Sequence, residues 1–247
     1  MREFYQLLKG EFLKQRKSFI WTIALLTPIL AAGLTFFNLF IRYDYLMTLE
    51  VNKGASSWNV LLGQHHFIWF LLFSLVVTIF ASMVHYIEYK SNSWKSALAL
   101  PVSRNKVYLA KWTIVYILSI IMILFNGILL VIVGKLLGFH EAVDLVLILK
   151  YTLYQIAAIT SLISVQCFIS AEISNTNIPL AIGSVGVASS IFFAQSESLS
   201  KLIPYAHIIY SLPDPTINNN ITLQYGLSLG IAFLVIGIFF FNRKEIC

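Results

Sequence analysis

The sequence predicts an all-α membrane protein of six transmembrane helices, led by an amphipathic interfacial helix, and three observations carry that prediction. Of its 247 residues, 58% are hydrophobic and 11% charged, where soluble domains carry about 25% charged residues. Six uncharged runs approach or exceed the roughly 20 residues that cross a ~30 Å hydrocarbon core as a helix. None alternates with the period of two that a barrel strand requires. Two units are expected, residues 1–18 as the interfacial helix and residues 19–247 as the membrane domain.

Residues 2–17, "REFYQLLKGEFLKQRK", put Phe4, Tyr5, Leu7, Leu8 and Phe12 on one arc at 100° per residue, with Arg2, Lys9, Arg16 and Lys17 on the other side. That is the pattern of a helix lying in the lipid interface, its cations toward anionic head groups. A basic topology tag is the alternative. Glu11 falls inside the apolar arc, where a carboxylate needs a cation or a protein donor; a protein partner accounts for it better than lipid does.

The spans follow at residues 19–41, 67–87, 112–134, 151–171, 178–195 and 221–241. The first is about 23 residues long, lacks a small-residue cleavage site and is expected to be retained. Twelve of the 17 Lys and Arg fall in residues 1–18, 88–111, 172–177 and 242–247, and the other five are Arg42, Lys53, Lys135, Lys150 and Lys201. The positive-inside bias therefore places both termini in the cytoplasm. The net charge of +6 serves topology and not nucleic acid, because the cations flank apolar runs.

Between the second and third spans lies "EYKSNSWKSALALPVSRNKVYLAKW", residues 88–112, the one long polar stretch. A short helix is expected up to Leu100, with Trp94, Ala97 and Leu98 near one side; Pro101 ends it, and Ser103 is the expected N-cap of a new helix from Arg104. Trp and Leu beside cations at a membrane surface fit a docking surface and equally an aromatic lipid anchor.

On two segments, "EFLKQRKS" at 11–18 and "EYKSNSWKSALALPVSRNKVYLAK" at 88–111, the chain resembles the membrane subunits of type-2 ATP-binding cassette (ABC) transporters. More narrowly it resembles the lantibiotic-immunity and bacitracin-resistance permeases of Gram-positive bacteria. The resemblance implies that Phe4, Leu8, Glu11 and Phe12 belong to a connector helix. It implies that Glu88, Ser93, Trp94, Ala97, Leu98 and Pro101 belong to a coupling segment that docks on an ATP-binding subunit. It also implies a dimer of that subunit carrying ATP and Mg, a second permease chain, identical or paralogous, and a location in the bacterial plasma membrane. This chain has no G-x-x-x-x-G-K-[ST] loop, so no cofactor is expected in it.

Residues 197–215 are expected outside, either as a simple interfacial loop anchored by Tyr205 and Tyr210 or as the re-entrant hairpin that the resemblance implies. Gln155 and Gln166, about three turns apart, share a face of the fourth helix with Leu162, and two readings stay open for them, a substrate path or interhelical packing. Gly226, Gly230 and Gly237 allow close packing of the last span. His65 and His66 lie about 30 Å from His85 and Glu88 along one helix, which rules out a single metal site. Cys167 and Cys247 make no disulfide framework.

Three functions compete: a permease expelling a lantibiotic or bacitracin-like peptide, or another peptide or small amphiphile; a membrane anchor or sensor recruiting a cytoplasmic partner; and an intramembrane enzyme. The last is disfavoured by the missing H-E-x-x-H, paired-carboxylate and nucleophile-elbow patterns.

Overall fold

The computed structural model describes residues 2–16, 18–90 and 103–244. Among these, every regular element is helical: α1 (Arg2–Gln15), α2 (Ile20–Thr48), α3 (Ser57–Lys90), α4 (Arg104–Leu136), α5 (Leu145–Glu172), α6 (Asn177–Phe193), α7 (Glu197–Ser200), a 3-10 helix (Pro204–Ser211) and α8 (Gly226–Arg243), which a π turn (Ile221–Tyr225) introduces. Among the described residues five helical stretches are long and apolar enough to cross a membrane: α2, α3, α4, α5 and the turn with α8.

The helices outrun their apolar runs where polar residues find internal partners. α3 begins ten residues before the expected span, because Trp58, Leu61 and Leu62 are buried and His65 and His66 are bonded inside the bundle. α4 starts at Arg104 as the Ser103 signal predicts. Ser103 contributes only its backbone, its carbonyl accepting from Lys106 and Val107, and its side chain makes no cap bond. α5 is capped by Asp144, whose carboxylate accepts from the Leu147 amide at 2.9 Å.

α6 departs from the six-span expectation. It has 17 residues, roughly 25 Å of helix against a ~30 Å core. After it the chain turns back into the bundle: the 3-10 helix buries Tyr205, His207, Ile208 and Tyr210 against α3, α5 and α6. His207 Nδ1 is hydrogen-bonded to Ser161 Oγ at 2.8 Å, near the middle of α5, and Tyr205 donates to Gln166 Oε1 at 2.9 Å. The two tyrosines are therefore buried in protein and are not the lipid anchors of a surface loop.

α8 packs along α5 on its glycines. A Cβ added at Gly230 would lie 2.8 Å from the Thr160 carbonyl carbon and 2.9 Å from the Ser161 nitrogen, and one at Gly237 would overlap Tyr108 of α4. Small residues bring two backbones together where no hydrophobic force drives helices apart from lipid.

Candidate functional site

Residues 91–102 join α3 to α4, and the ends of those two helices meet α1 in a buried ion cluster. α1 crosses the start of α4 with Phe4, Leu7, Leu8, Glu11 and Gln15 turned inward, spaced by three and four residues as one helix face requires. Leu7 and Leu8 pack on the core, and Glu11 and Gln15 are buried. The expected apolar arc is thus largely covered by protein, while Tyr5 and Phe12 stay exposed.

Lys111, two turns into α4 and 1% exposed, is the centre. Its ammonium donates to Glu11 Oε2 of α1 at 3.0 Å, to Glu88 Oε1 of α3 at 3.0 Å and to the Val84 carbonyl at 3.2 Å. Lys14 donates to Glu11 Oε1 at 2.8 Å and also to Glu88. Among the described residues two carboxylates and two ammoniums therefore alternate. A single unpaired charge at this depth costs several kcal/mol, so the four residues hold one another in place. At Lys14 burial pulls the ammonium down, but the Glu11 and Glu88 carboxylates outweigh it and leave it above its ordinary value.

A second set of contacts gathers the remaining helix ends at the same side. Lys244, just past α8, donates to the Glu172 carbonyl at 2.8 Å, to Ala171 O and to the Tyr89 hydroxyl, closing the carbonyl end of α5 with a cation. Burial lowers its ammonium below the ordinary value. Arg104 donates to the Lys244 carbonyl at 2.7 Å. At the opposite end Glu141 accepts from the Ser57 amide at 3.0 Å and its hydroxyl at 3.1 Å.

Of the residues singled out from sequence, Glu11 and Glu88 come together, 77 positions apart, on Lys111. Glu88 is 0% exposed, so its carboxylate faces the internal joint. Glu11 finds its donors in this chain, correcting the expectation of another protein. Phe4 and Leu8 are half-buried, and Phe12 packs against Trp21 with ring centroids 5.3 Å apart. Ser93, Trp94, Ala97, Leu98 and Pro101 lie outside the described residues.

Gln155 accepts from Trp69 Nε1 at 2.8 Å, and Gln166 donates to the Pro179 carbonyl at 2.8 Å while accepting from Tyr205. Both side chains are thus engaged between elements. His66 donates through Nε2 to the Ile209 carbonyl at 2.9 Å, which leaves Nδ1 to accept from Tyr151. Among the described residues no group of three or more His, Cys, Asp or Glu is placed to hold a metal.

Sequence reasoning missed Lys111 and Lys14, having counted them only as topology signals. The usable signal was Lys111 itself, a cation in "VYLAKWTIV" where a helix entering an apolar run demands a counter-ion.

This joint lies within the region that identifies the chain. Residues 7–190 match the profile of the family described as ABC-2 family transporter protein. The chain belongs to the ABC-2 transporter family. The match takes in Glu11, Lys14, Glu88 and Lys111 and stops before the 3-10 helix and α8. No curated protein matches the chain. Family membership and the apolar helices fit a multi-pass membrane permease component of an ABC transporter, in a family of membrane transport components that are usually non-catalytic and generally work with a separate ATP-binding subunit.

Proposed function

We propose that this ABC-2 permease is one membrane half of an ATP-driven exporter, and that the cluster around Lys111 is the joint through which the ATP-binding subunit moves it. One observation carries the reading: Lys111 binds Glu11 and Glu88 at once, so the two helices flanking residues 91–102 and α1 form a single unit at their common end. A displacement of residues 91–102 then shifts α1, α3 and α4 together, because separating any of them strands a buried charge.

In this reading residues 91–102 form the coupling helix, with Trp94 and Leu98 as its anchors, and α1 is the connector. ATP and Mg bind a dimer of the partner subunit, and a second permease chain, identical or paralogous, completes the pathway. Six spans result when α6, supplemented by the 3-10 segment, counts as the fifth. The split of Lys and Arg puts both termini on the cytoplasmic side of a bacterial plasma membrane. The exported substrate is an amphipathic peptide antibiotic of the lantibiotic or bacitracin kind, expelled for self-protection, which the likeness of residues 11–18 and 88–111 to immunity permeases supports.

The test is Trp94→Ala with Leu98→Ala in cells carrying the complete transporter. Loss of anchors worth about 2 kcal/mol or more removes peptide protection while the chain stays at its normal membrane level. Full protection in the double variant overturns the docking role, and no protection by the unaltered transporter overturns the substrate class.

A further inference from the structure

The elbow between α1 and α2 carries a second site. There Tyr5, Leu8, Lys9, Phe12, Leu13, Arg16 and Trp21 line an open cleft of about 490 Å³, within the ~300–1,000 Å³ typical of small-ligand sites. At 100° per residue, Lys9 and Arg16 fall in the middle of the exposed face of α1, with Leu8 and Phe12 on one side and Leu13 on the other. Tyr5 is 67% and Leu13 56% exposed. Cations flanked by apolar side chains match an amphiphile with an anionic head.

Among the described residues the two cations have no carboxylate partner. α1 has two acidic residues, and both are engaged elsewhere, Glu3 with Lys106 and Glu11 with Lys111 and Lys14. Among the described residues neither Lys9 nor Arg16 takes part in an ion pair. From the cleft an exposed apolar ridge continues along the first span, Leu25 and Ile29 following Trp21 at four and eight residues. A second copy of the chain would bring a second basic face and repel.

We propose that this elbow binds one anionic phospholipid, its phosphate held by Lys9 and Arg16 and an acyl chain lying over Phe12, Trp21 and Leu25. The head group sits where α2 enters its apolar run, the level at which a tryptophan favours the membrane interface. The site ties α1, and through Glu11 the ion joint, to the charge of the surrounding bilayer. It is independent of what the transporter exports, so its failure leaves the export reading standing.

The test places the full chain in phosphatidylcholine bilayers containing a minor fraction of phosphatidylglycerol, with a bromine-labelled acyl chain on one lipid or the other. Trp21 fluorescence is read as the difference from Trp21→Phe. Two cations at the surface favour the anionic lipid by roughly tenfold or more, so brominated phosphatidylglycerol quenches Trp21 far more than brominated phosphatidylcholine does, and the double variant K9Q/R16Q quenches equally with both. Native mass spectrometry of the detergent-purified chain retains one phosphatidylglycerol, which K9Q/R16Q loses. The proposal is overturned by equal quenching in the unaltered chain, by a preference that survives K9Q/R16Q, by no retained lipid, or by a Trp21 shielded from both lipids, which marks a protein surface over the cleft.

Discussion

The end of the bundle beside residues 91–102 is joined by charges, whereas its middle is joined by neutral hydrogen bonds. At that end Lys111 and Lys14 bridge Glu11 and Glu88. Deeper in, Thr35 meets His65, Trp69 meets Gln155, His207 meets Ser161 and Tyr205 meets Gln166. The two kinds of contact differ in what their loss costs. A buried charge stripped of its partner costs ~3–5 kcal/mol, while a hydrogen bond between membrane helices averages about 0.6 kcal/mol. On that scale, separating α1, α3 and α4 costs more than exchanging any one of the neutral contacts of α5, α6 and the 3-10 helix, and the proposed export mechanism draws on both: a part that receives displacement without yielding and a part that rearranges.

The largest effect should come from Lys111→Met. It takes the buried ammonium from Glu11 and Glu88 and leaves the half-exposed Lys14 beside them, and the loss should be about 3 kcal/mol, toward the lower end of the usual range for a broken buried pair. Thermal unfolding of the purified chain in detergent should show it. Lys111→Arg keeps the charge and should recover a substantial part. A change below ~1 kcal/mol in K111M would make the charged joint equivalent to the neutral contacts and dissolve the contrast.

Gln166→Leu probes the other side of the comparison. It takes the acceptor from the Tyr205 hydroxyl and the donor from the Pro179 carbonyl. The expected loss is about 1 kcal/mol, between the average and the largest values for such bonds in membrane helices, by the same unfolding measurement. A loss as large as that of K111M would place the 3-10 helix among the rigid parts.

Much of this architecture was legible in the chain because hydropathy and helix periodicity are local. The glycine face of Gly226, Gly230 and Gly237 predicted the close approach of α8, and the shared face of Gln155 and Gln166 predicted an inward orientation. Glu11 stood out as a carboxylate in an apolar arc. Its partner did not, since Glu11 and Lys111 lie 100 residues apart and no local pattern pairs them. The arc of Phe4, Leu7 and Leu8 looks the same whether lipid or α4 covers it. Tyr205 and Tyr210 posed the same ambiguity, because an aromatic residue among prolines suits an interface or a folded-back segment until the contacts of Ser161 and Gln166 are known. Polar positions that extend helices, such as His65 and His66, were read as boundaries because their partners belong to other helices.

The smallest effect belongs to a third kind of contact, the exposed ion pair between Glu3 of α1 and Lys106 of α4, whose side chains are 59% and 42% exposed. It links the same two helices as Lys111 and Glu11 but in water, where exposed pairs contribute little and salt screens them. The hydrogen bond from Lys106, then its charge, hold the Glu3 carboxyl below its ordinary value. The sign follows from that depression: whatever stability the pair adds is present above the ordinary carboxylate value of about 4.3 and is lost as pH falls through the lower value in the folded chain. Glu3→Gln should therefore shift the unfolding temperature slightly at low salt and neutral pH. The shift should vanish at high salt, and the variant and the unaltered chain should converge in acid. A shift that persists at high salt would mean that Glu3 is drawn into the buried joint, extending the charged region about two further turns along α1.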